Sequence, residues 1–137
     1  MLEFVRHNIW LFLAAVLSGG FLIWPLIAKR LSGAREVGAV EAVQLINRRD
    51  AVVLDVREPG EFDGGHIAGA KNFPVGAIEK RAGDLARFRE KPVLIVCATA
   101  NRSHAAFNVL RKLGFVDVHI LSGGMNAWRQ ASLPLEK

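Results

Sequence analysis

The sequence predicts an α/β domain with a mostly parallel central sheet, preceded by one transmembrane helix. Three short apolar runs rich in β-branched residues indicate strands that are buried on both faces, and helical patterns separate them. A charge-free stretch near the amino terminus has the length of about 20 residues that a helix needs to cross a bilayer. Strands that alternate with helices favour a parallel sheet with helices packed on both of its faces.

The charge-free stretch runs from Ile9 to Ala28, with Trp10 and Trp24 near its ends, where aromatic rings favour the membrane interface. A cleaved signal peptide would have a shorter apolar region followed by a small-residue cleavage site. A soluble core helix that is apolar on every side is a poor match for a domain of this size. The sequence therefore predicts an uncleaved, single-pass anchor in the inner or cell membrane.

The charges that flank the anchor predict its orientation. Arg6 and Glu3 precede the apolar stretch, whereas Lys29, Arg30 and Arg35 follow it. Because lysine and arginine are enriched on the cytoplasmic side of membrane helices, the segment after the anchor is expected to lie in the cytoplasm. The cytoplasm is also a reducing compartment, which suits a free thiol.

We expect three parts: an anchor at residues 1–30, a short linker at residues 31–35 and one domain at residues 36–137. The last part has an ordinary size for a single domain. Its strands are predicted at Ala51–Val56, Val93–Val96 and Val118–Leu121, with a brief extended piece at Asn72–Pro74. Its helices are predicted at Glu41–Arg48, Ala77–Phe88, Ser103–Leu113 and Met125–Ala131.

Composition excludes several classes of function. The one cysteine, Cys97, has no partner for an internal disulfide, and together with four scattered histidines it gives no metal-ligand spacing. The net charge of +5 is spread along the chain, and no nucleic-acid-binding motif accompanies it. We therefore expect neither a bound metal nor a nucleic-acid partner.

Three unusual stretches follow the three predicted strands. They are Asp55–Glu58, Cys97–Arg102 and Ser122–Gly124. Because ligands of open α/β sheets bind beyond the carboxyl ends of the strands, these stretches are expected to meet at one edge of the sheet.

The stretch CATANR, Cys97 to Arg102, has the chemistry of an anion-binding loop. It leads directly into a predicted helix, whose amino terminus adds positive potential, and its backbone N–H groups can point into one concavity. This setting stabilises a thiolate and favours nucleophilic attack by Cys97, which the position at the strand end presents to a ligand. Arg102 adds a planar set of donors that suits a sulfonate or phosphate. The alternative is a buried, inert cysteine, the usual state of a lone thiol.

Three motifs together resemble the rhodanese family. They are LDVREPGEFDGGHIAGAKNFP at Leu54–Pro74, the Cys-x4-Arg loop at Cys97–Arg102 and LSGGMNAW at Leu121–Trp128. The resemblance covers nearly all of the chain after the anchor. It implies a three-layer sandwich and a sulfurtransferase that carries sulfur as a covalent persulfide on cysteine, without a cofactor.

Carried over residue by residue, the resemblance implies that Cys97 is the sulfur carrier. Ala98, Thr99, Ala100, Asn101 and Arg102 would bind a small anionic donor such as thiosulfate, and a thiol or cyanide would accept the sulfur. Asp55 and Arg57 would support the loop, with Arg57 pairing with Glu61, and His66 would be structural. Related loops often carry glycine at the position of Ala100, so the loop here is expected to differ in shape.

Two other functions remain open on the sequence. Phosphatases and arsenate reductases of related fold use a loop one residue longer, Cys-x5-Arg, whereas four residues separate Cys97 from Arg102 here. A rhodanese-fold scaffold at the membrane is the other alternative, although inactive versions would be expected to lose the cysteine. An anchored domain is in either case placed to meet a membrane-protein partner.

Overall fold

The computed structural model describes residues 1–31, 34–98 and 101–137. The chain divides into two compact units, Met1–Gly33 and Ala34–Lys137. The first unit consists of helix α1 (Leu2–His7) and helix α2 (Ile9–Leu31). Within α2, residues Ile9–Ile27 are long and apolar enough to cross a membrane, and none of the side chains in this window is buried.

The second unit is an α/β sandwich around a five-stranded parallel sheet. In chain order the sheet contains β1 (Arg35–Val37), β2 (Val52–Asp55), β3 (Lys71–Asn72), β4 (Val93–Val96) and β5 (Val118–Leu121), and the order across the sheet is β1-β5-β4-β2-β3. Every pair of neighbouring strands is parallel. The predicted fold class, a mostly parallel sheet between helices, is therefore confirmed.

Helices and short 3₁₀ turns connect these strands. The helices are α3 (Ala39–Arg49), α4 (Pro59–Asp63), α5 (Ala82–Leu85), α6 (Asn101–Lys112) and α7 (Gly124–Gln130), and the 3₁₀ turns are Val75–Ala77 and Ala86–Phe88. Alternation along the fully buried strand β4 sends its side chains to both faces of the sheet. Ile95 enters one core with Ala106 and Phe107 of α6, and Leu94 enters a second core with Leu45 of α3.

Two differences from the predicted elements have local causes. The predicted helix Ala77–Phe88 is wrong, because the structure has two 3₁₀ turns and the four-residue α5 in this region. Gly83 lies in the middle of the segment, where the flexibility of glycine weakens a helix. Helix α6 begins at Asn101 rather than at Ser103, so Arg102 belongs to its first turn.

Two elements were missing from the sequence prediction. Strand β1 is only three residues long and includes Arg35, which was assigned to the linker. Helix α4 has five residues, but its start carries a readable signal: Pro59 is in the first turn, and Glu58 and Glu61 form a capping box. That pattern inside the motif Leu54–Pro74 could have located the helix.

Candidate active site

Cys97 follows the last residue of β4, at the carboxyl edge of the sheet. Cys97 is completely buried and belongs to the core that contains Ile95, Ala106 and Phe107. The expectation of a presented thiol is therefore wrong.

The turn before α7 closes over the backbone of Cys97. The amide of Met125 donates a 2.7 Å hydrogen bond to the carbonyl oxygen of Cys97. Gly124 has a positive φ of 58°, and a Cβ atom at this position would collide with the carbonyl oxygen of Cys97 and lie 2.8 Å from that of Ala98. Only glycine permits so close an approach between the two backbones.

Arg102, in the first turn of α6, forms a two-point ion pair with Glu61 of α4. Its Nη1 and Nη2 donate to the two carboxylate oxygens of Glu61 at 3.0 and 3.2 Å. The hydrogen bond from Arg102 lowers the pKa of Glu61, and the bond to Glu61 together with the charge of Cys97 raises the pKa of Arg102. Arg102 is therefore a permanent cation within the electrostatic reach of Cys97.

This pairing corrects one expectation. Arg57 was predicted to pair with Glu61, whereas it pairs with Asp55 through a buried contact of 2.7 Å between Nη2 and Oδ2. The same Nη2 donates to the carbonyl oxygen of Gly65 at 2.8 Å. Asp55 ends β2, so the pair ties the end of that strand to the segment beyond α4. Because both partners are buried and multiply hydrogen-bonded, loss of either one would leave an uncompensated charge.

His66 has a structural environment. Its Nδ1 lies 2.9 Å from the carbonyl oxygen of Phe62, its ring stacks on that of Phe62 with centroids 3.8 Å apart, and its Nε2 is 3.4 Å from Glu136. The backbones of His66 and Glu136 also form an antiparallel bridge. These contacts attach the carboxyl-terminal residues to the segment after α4.

The loop residues are described in part. Ala98 is half-buried, Thr99 and Ala100 lie outside the described residues, and only the backbone of Asn101 is described. Ser103, which was not among the predicted site residues, is completely buried on α6, and its hydroxyl has no hydrogen-bond partner in the part of the chain that the structure describes. In the sequence, the only indication of this residue was its position directly after Arg102.

The three stretches predicted to converge do meet at the carboxyl edge of the sheet. Glu61, just after Asp55–Glu58, contacts Arg102, and the turn Ser122–Gly124 lies against Cys97. The backbones of Val56 and Val96 are also joined by a 2.9 Å hydrogen bond. The arrangement brings one thiol, one guanidinium and a helix amino terminus to the same edge of the sheet, which is a setting for binding an anion next to a nucleophile.

Comparisons with known proteins point to one family. The family model of the rhodanese-like domain matches residues 38–131. The chain is 38% identical to the Escherichia coli protein YibN over 96 residues, which are 69% of this chain and 67% of YibN. It is 34% identical to the thiosulfate sulfurtransferase GlpE of Pseudomonas putida over 108 residues, covering 77% of this chain and 94% of GlpE. Against YqhL of Bacillus subtilis the identity is 41%, and the match spans 62% of the length of YqhL.

Solved structures show the same fold. A rhodanese-related protein from Thermoplasma volcanium superposes with a TM-score of 0.66 at 32% identity, covering 74% of this chain and 97% of that protein. A rhodanese-like domain protein from Staphylococcus aureus gives a TM-score of 0.61 at 27% identity, covering 69% of this chain and 90% of that protein.

Proposed function

Since the chain belongs to the rhodanese family, we propose that it is a sulfurtransferase in which Cys97 carries a persulfide between an anionic donor and a thiol or cyanide acceptor. The observation that carries the proposal is the position of Cys97 at the end of β4, with Arg102 in the first turn of the helix that follows the loop. The similarity to a thiosulfate sulfurtransferase over most of that protein's length supports thiosulfate as the donor class.

The proposed reaction has two displacement steps. The Cys97 thiolate attacks the outer sulfur of thiosulfate, a sulfur–sulfur bond forms, and sulfite leaves with the electron pair of the bond that breaks. An acceptor thiolate, or cyanide, then attacks the outer sulfur of the persulfide, and Cys97 leaves as a thiolate. Neither step needs a metal or a dedicated base, because nucleophile and leaving group are both anions.

The chain's own groups have distinct roles in this scheme. Arg102 binds the negative oxygens of the donor, and residues Ala98–Asn101 supply backbone N–H groups to the sulfur that is transferred. Asp55 and Arg57 tie the end of β2 to the segment after α4, the helix that carries Glu61. The turn at Gly124 holds the backbone carbonyl of Cys97 through the amide of Met125 and so fixes the position of the nucleophile.

Cys97→Ser is the direct test. Wild-type protein incubated with thiosulfate should gain the mass of one sulfur atom and lose it again on addition of cyanide, with release of thiocyanate. The variant should show neither change while keeping the circular dichroism spectrum of the wild type. Thiocyanate production by the folded variant would contradict the mechanism, since the chain contains no other thiol.

We also propose that α2 anchors the domain in the inner or cell membrane as a single span. Support comes from the window Ile9–Ile27, with a mean hydropathy of 2.0 and no buried side chain, which a soluble core helix would not show. Lys29, Arg30 and Arg35 on the carboxyl side favour a cytoplasmic domain. The anchor brings the domain to membrane-protein partners.

A further inference from the structure

A basic groove runs along β3, the edge strand of the sheet. It has a volume of about 520 Å³ and is lined by Lys71 and Asn72 of β3, by Phe73 and by the segment from Arg81 to Phe88. Three of its side chains are cationic: Lys71, Arg81 and Arg87. Among the described lining residues, Asp84 is the one carboxylate.

Aromatic rings hold these cations in place. The guanidinium carbon of Arg81 is 4.1 Å from the centre of the Phe73 ring, and that of Arg87 is 4.7 Å from the centre of the Phe88 ring. Lys71 Nζ is 5.4 Å from the same Phe88 centre, so two positive charges share one ring. Stacking restricts the side chains before a ligand arrives, which reduces the entropy lost on binding.

The positive charges are poorly compensated. Asp84 reaches Arg81 only at 3.4 Å, and its side chain is 65% exposed. In the described part of the chain, neither Lys71 nor Arg87 takes part in an ion pair. Lys71 by itself could be explained by its place on an edge strand, where a lysine discourages pairing with other chains. The two arginines come from a different segment and converge on the same groove, which that explanation does not cover.

We propose that this groove binds an acidic segment of a partner protein. Complementary charge selects an anionic occupant, and cations spread along a groove of this volume call for several carboxylates in a row rather than one small anion. The groove borders β3, whose outer side has no neighbouring strand among the described residues, so an extended segment can lie beside it. The partner is thus recognised by its charge and its extended backbone.

The test uses the full chain in a neutral detergent and a fluorescently labelled peptide rich in glutamate and aspartate. We expect saturable binding by fluorescence anisotropy, which weakens as salt is raised because the contacts are exposed ion pairs. The double variant Lys71→Gln with Arg87→Gln should weaken binding by about tenfold. A peptide of equal length in which glutamine and asparagine replace the acids should not bind.

Arg111→Gln is the matched control. Arg111 also lies over a phenylalanine, with its guanidinium carbon 6.0 Å from the Phe107 ring centre, but it is outside the groove. The proposal predicts unchanged peptide affinity for this variant. Equal weakening by Arg111→Gln, or no preference for the acidic peptide at low salt, would overturn it. Displacement of the peptide by inorganic phosphate at equal concentration would also overturn it, in favour of a small-anion site.

Discussion

The carboxylate of Glu61 accepts two hydrogen bonds from the guanidinium of Arg102, although the two residues are 41 positions apart in the sequence. The pair joins α4 to α6. Both side chains are about two-fifths exposed, so solvent reaches the pair and an anion can compete with Glu61 for the same donors. In the proposed reaction, Glu61 would therefore tune the positive charge that Arg102 presents to the donor.

Glu61→Gln should lower the KM for thiosulfate about two- to fivefold, because removal of one negative charge frees Arg102 and reduces repulsion of the donor. Steady-state kinetics at varied thiosulfate provide the measurement. Asp63→Asn is the control, since Asp63 is an exposed carboxylate at the end of the same helix. A raised KM would instead mean that Glu61 orients Arg102 for binding.

Arg102→Ala should reduce kcat/KM for thiosulfate about ten- to a hundredfold, the cost of losing a charge-assisted hydrogen bond to the donor. Stability in urea should change far less, because the pair with Glu61 is partly exposed. Arg111→Ala, which removes another arginine of α6, serves as the reference. An unchanged kcat/KM would show that backbone groups alone bind the donor.

Gly124→Ala should destabilise the domain by several kcal/mol, because the new Cβ would collide with the backbone of Cys97 and Ala98. Sulfur transfer should fall as well, since the collision displaces the carbonyl of the nucleophile. Gly69→Ala separates strain from collision: Gly69 also has a positive φ, of 76°, but open space around it. The free energy of unfolding of that variant, measured by urea denaturation, should fall by only about 1 kcal/mol.

Asp117→Asn should change how stability depends on pH. Burial raises the pKa of Asp117, but the hydrogen bond from Arg49 and the charge of His119 outweigh it, so the net shift is downward. A lowered pKa in the folded state contributes stability above the unfolded value of about 3.9, and this is lost as pH falls through the folded value. At pH 6 the free energy of unfolding of the wild type should thus exceed that of the variant by about 1 kcal/mol.

The difference between wild type and Asp117→Asn should shrink toward zero as the pH is lowered below 3.9, as measured by urea midpoints. Asp50→Asn is the surface control. Asp50 pairs with Lys91 at 2.9 Å but its side chain is 89% exposed, so its removal should have little effect at any pH. A constant difference for Asp117→Asn across the pH range would refute the titration argument.

The proposed cytoplasmic orientation predicts which thiols a membrane-impermeant reagent can reach. Because Cys97 is buried, the experiment uses a Cys97→Ser background with Glu90→Cys, an exposed position in the domain. A membrane-impermeant maleimide should label this thiol only after cell lysis. Glu3→Cys, on the other side of the span, should be labelled in intact cells. The reverse pattern would place the domain outside the cytoplasm.

The central strands were predictable because local sequence decides them. Val93–Val96 and Val118–Leu121 were predicted with the bounds that the structure has, because short runs rich in apolar and β-branched residues favour strands that are buried on both faces. Strand β1 and helix α4 escaped prediction because three to five residues carry too little periodicity. The helix predicted at Ala77–Phe88 was wrong because the apolar residues there have helical spacing, whereas Gly83 favours turns.

The sequence by itself determined the fold class, the position of the single thiol after a central strand and the spacing of four residues between Cys97 and Arg102. The tertiary structure alone decided which charges pair. In the folded chain Arg57 pairs with Asp55, and Arg102 pairs with Glu61. The turn at Gly124 packs against the backbone of Cys97. Strand runs and spacings depend on neighbours in the chain, whereas ion pairs and backbone contacts depend on distances between elements that only packing sets.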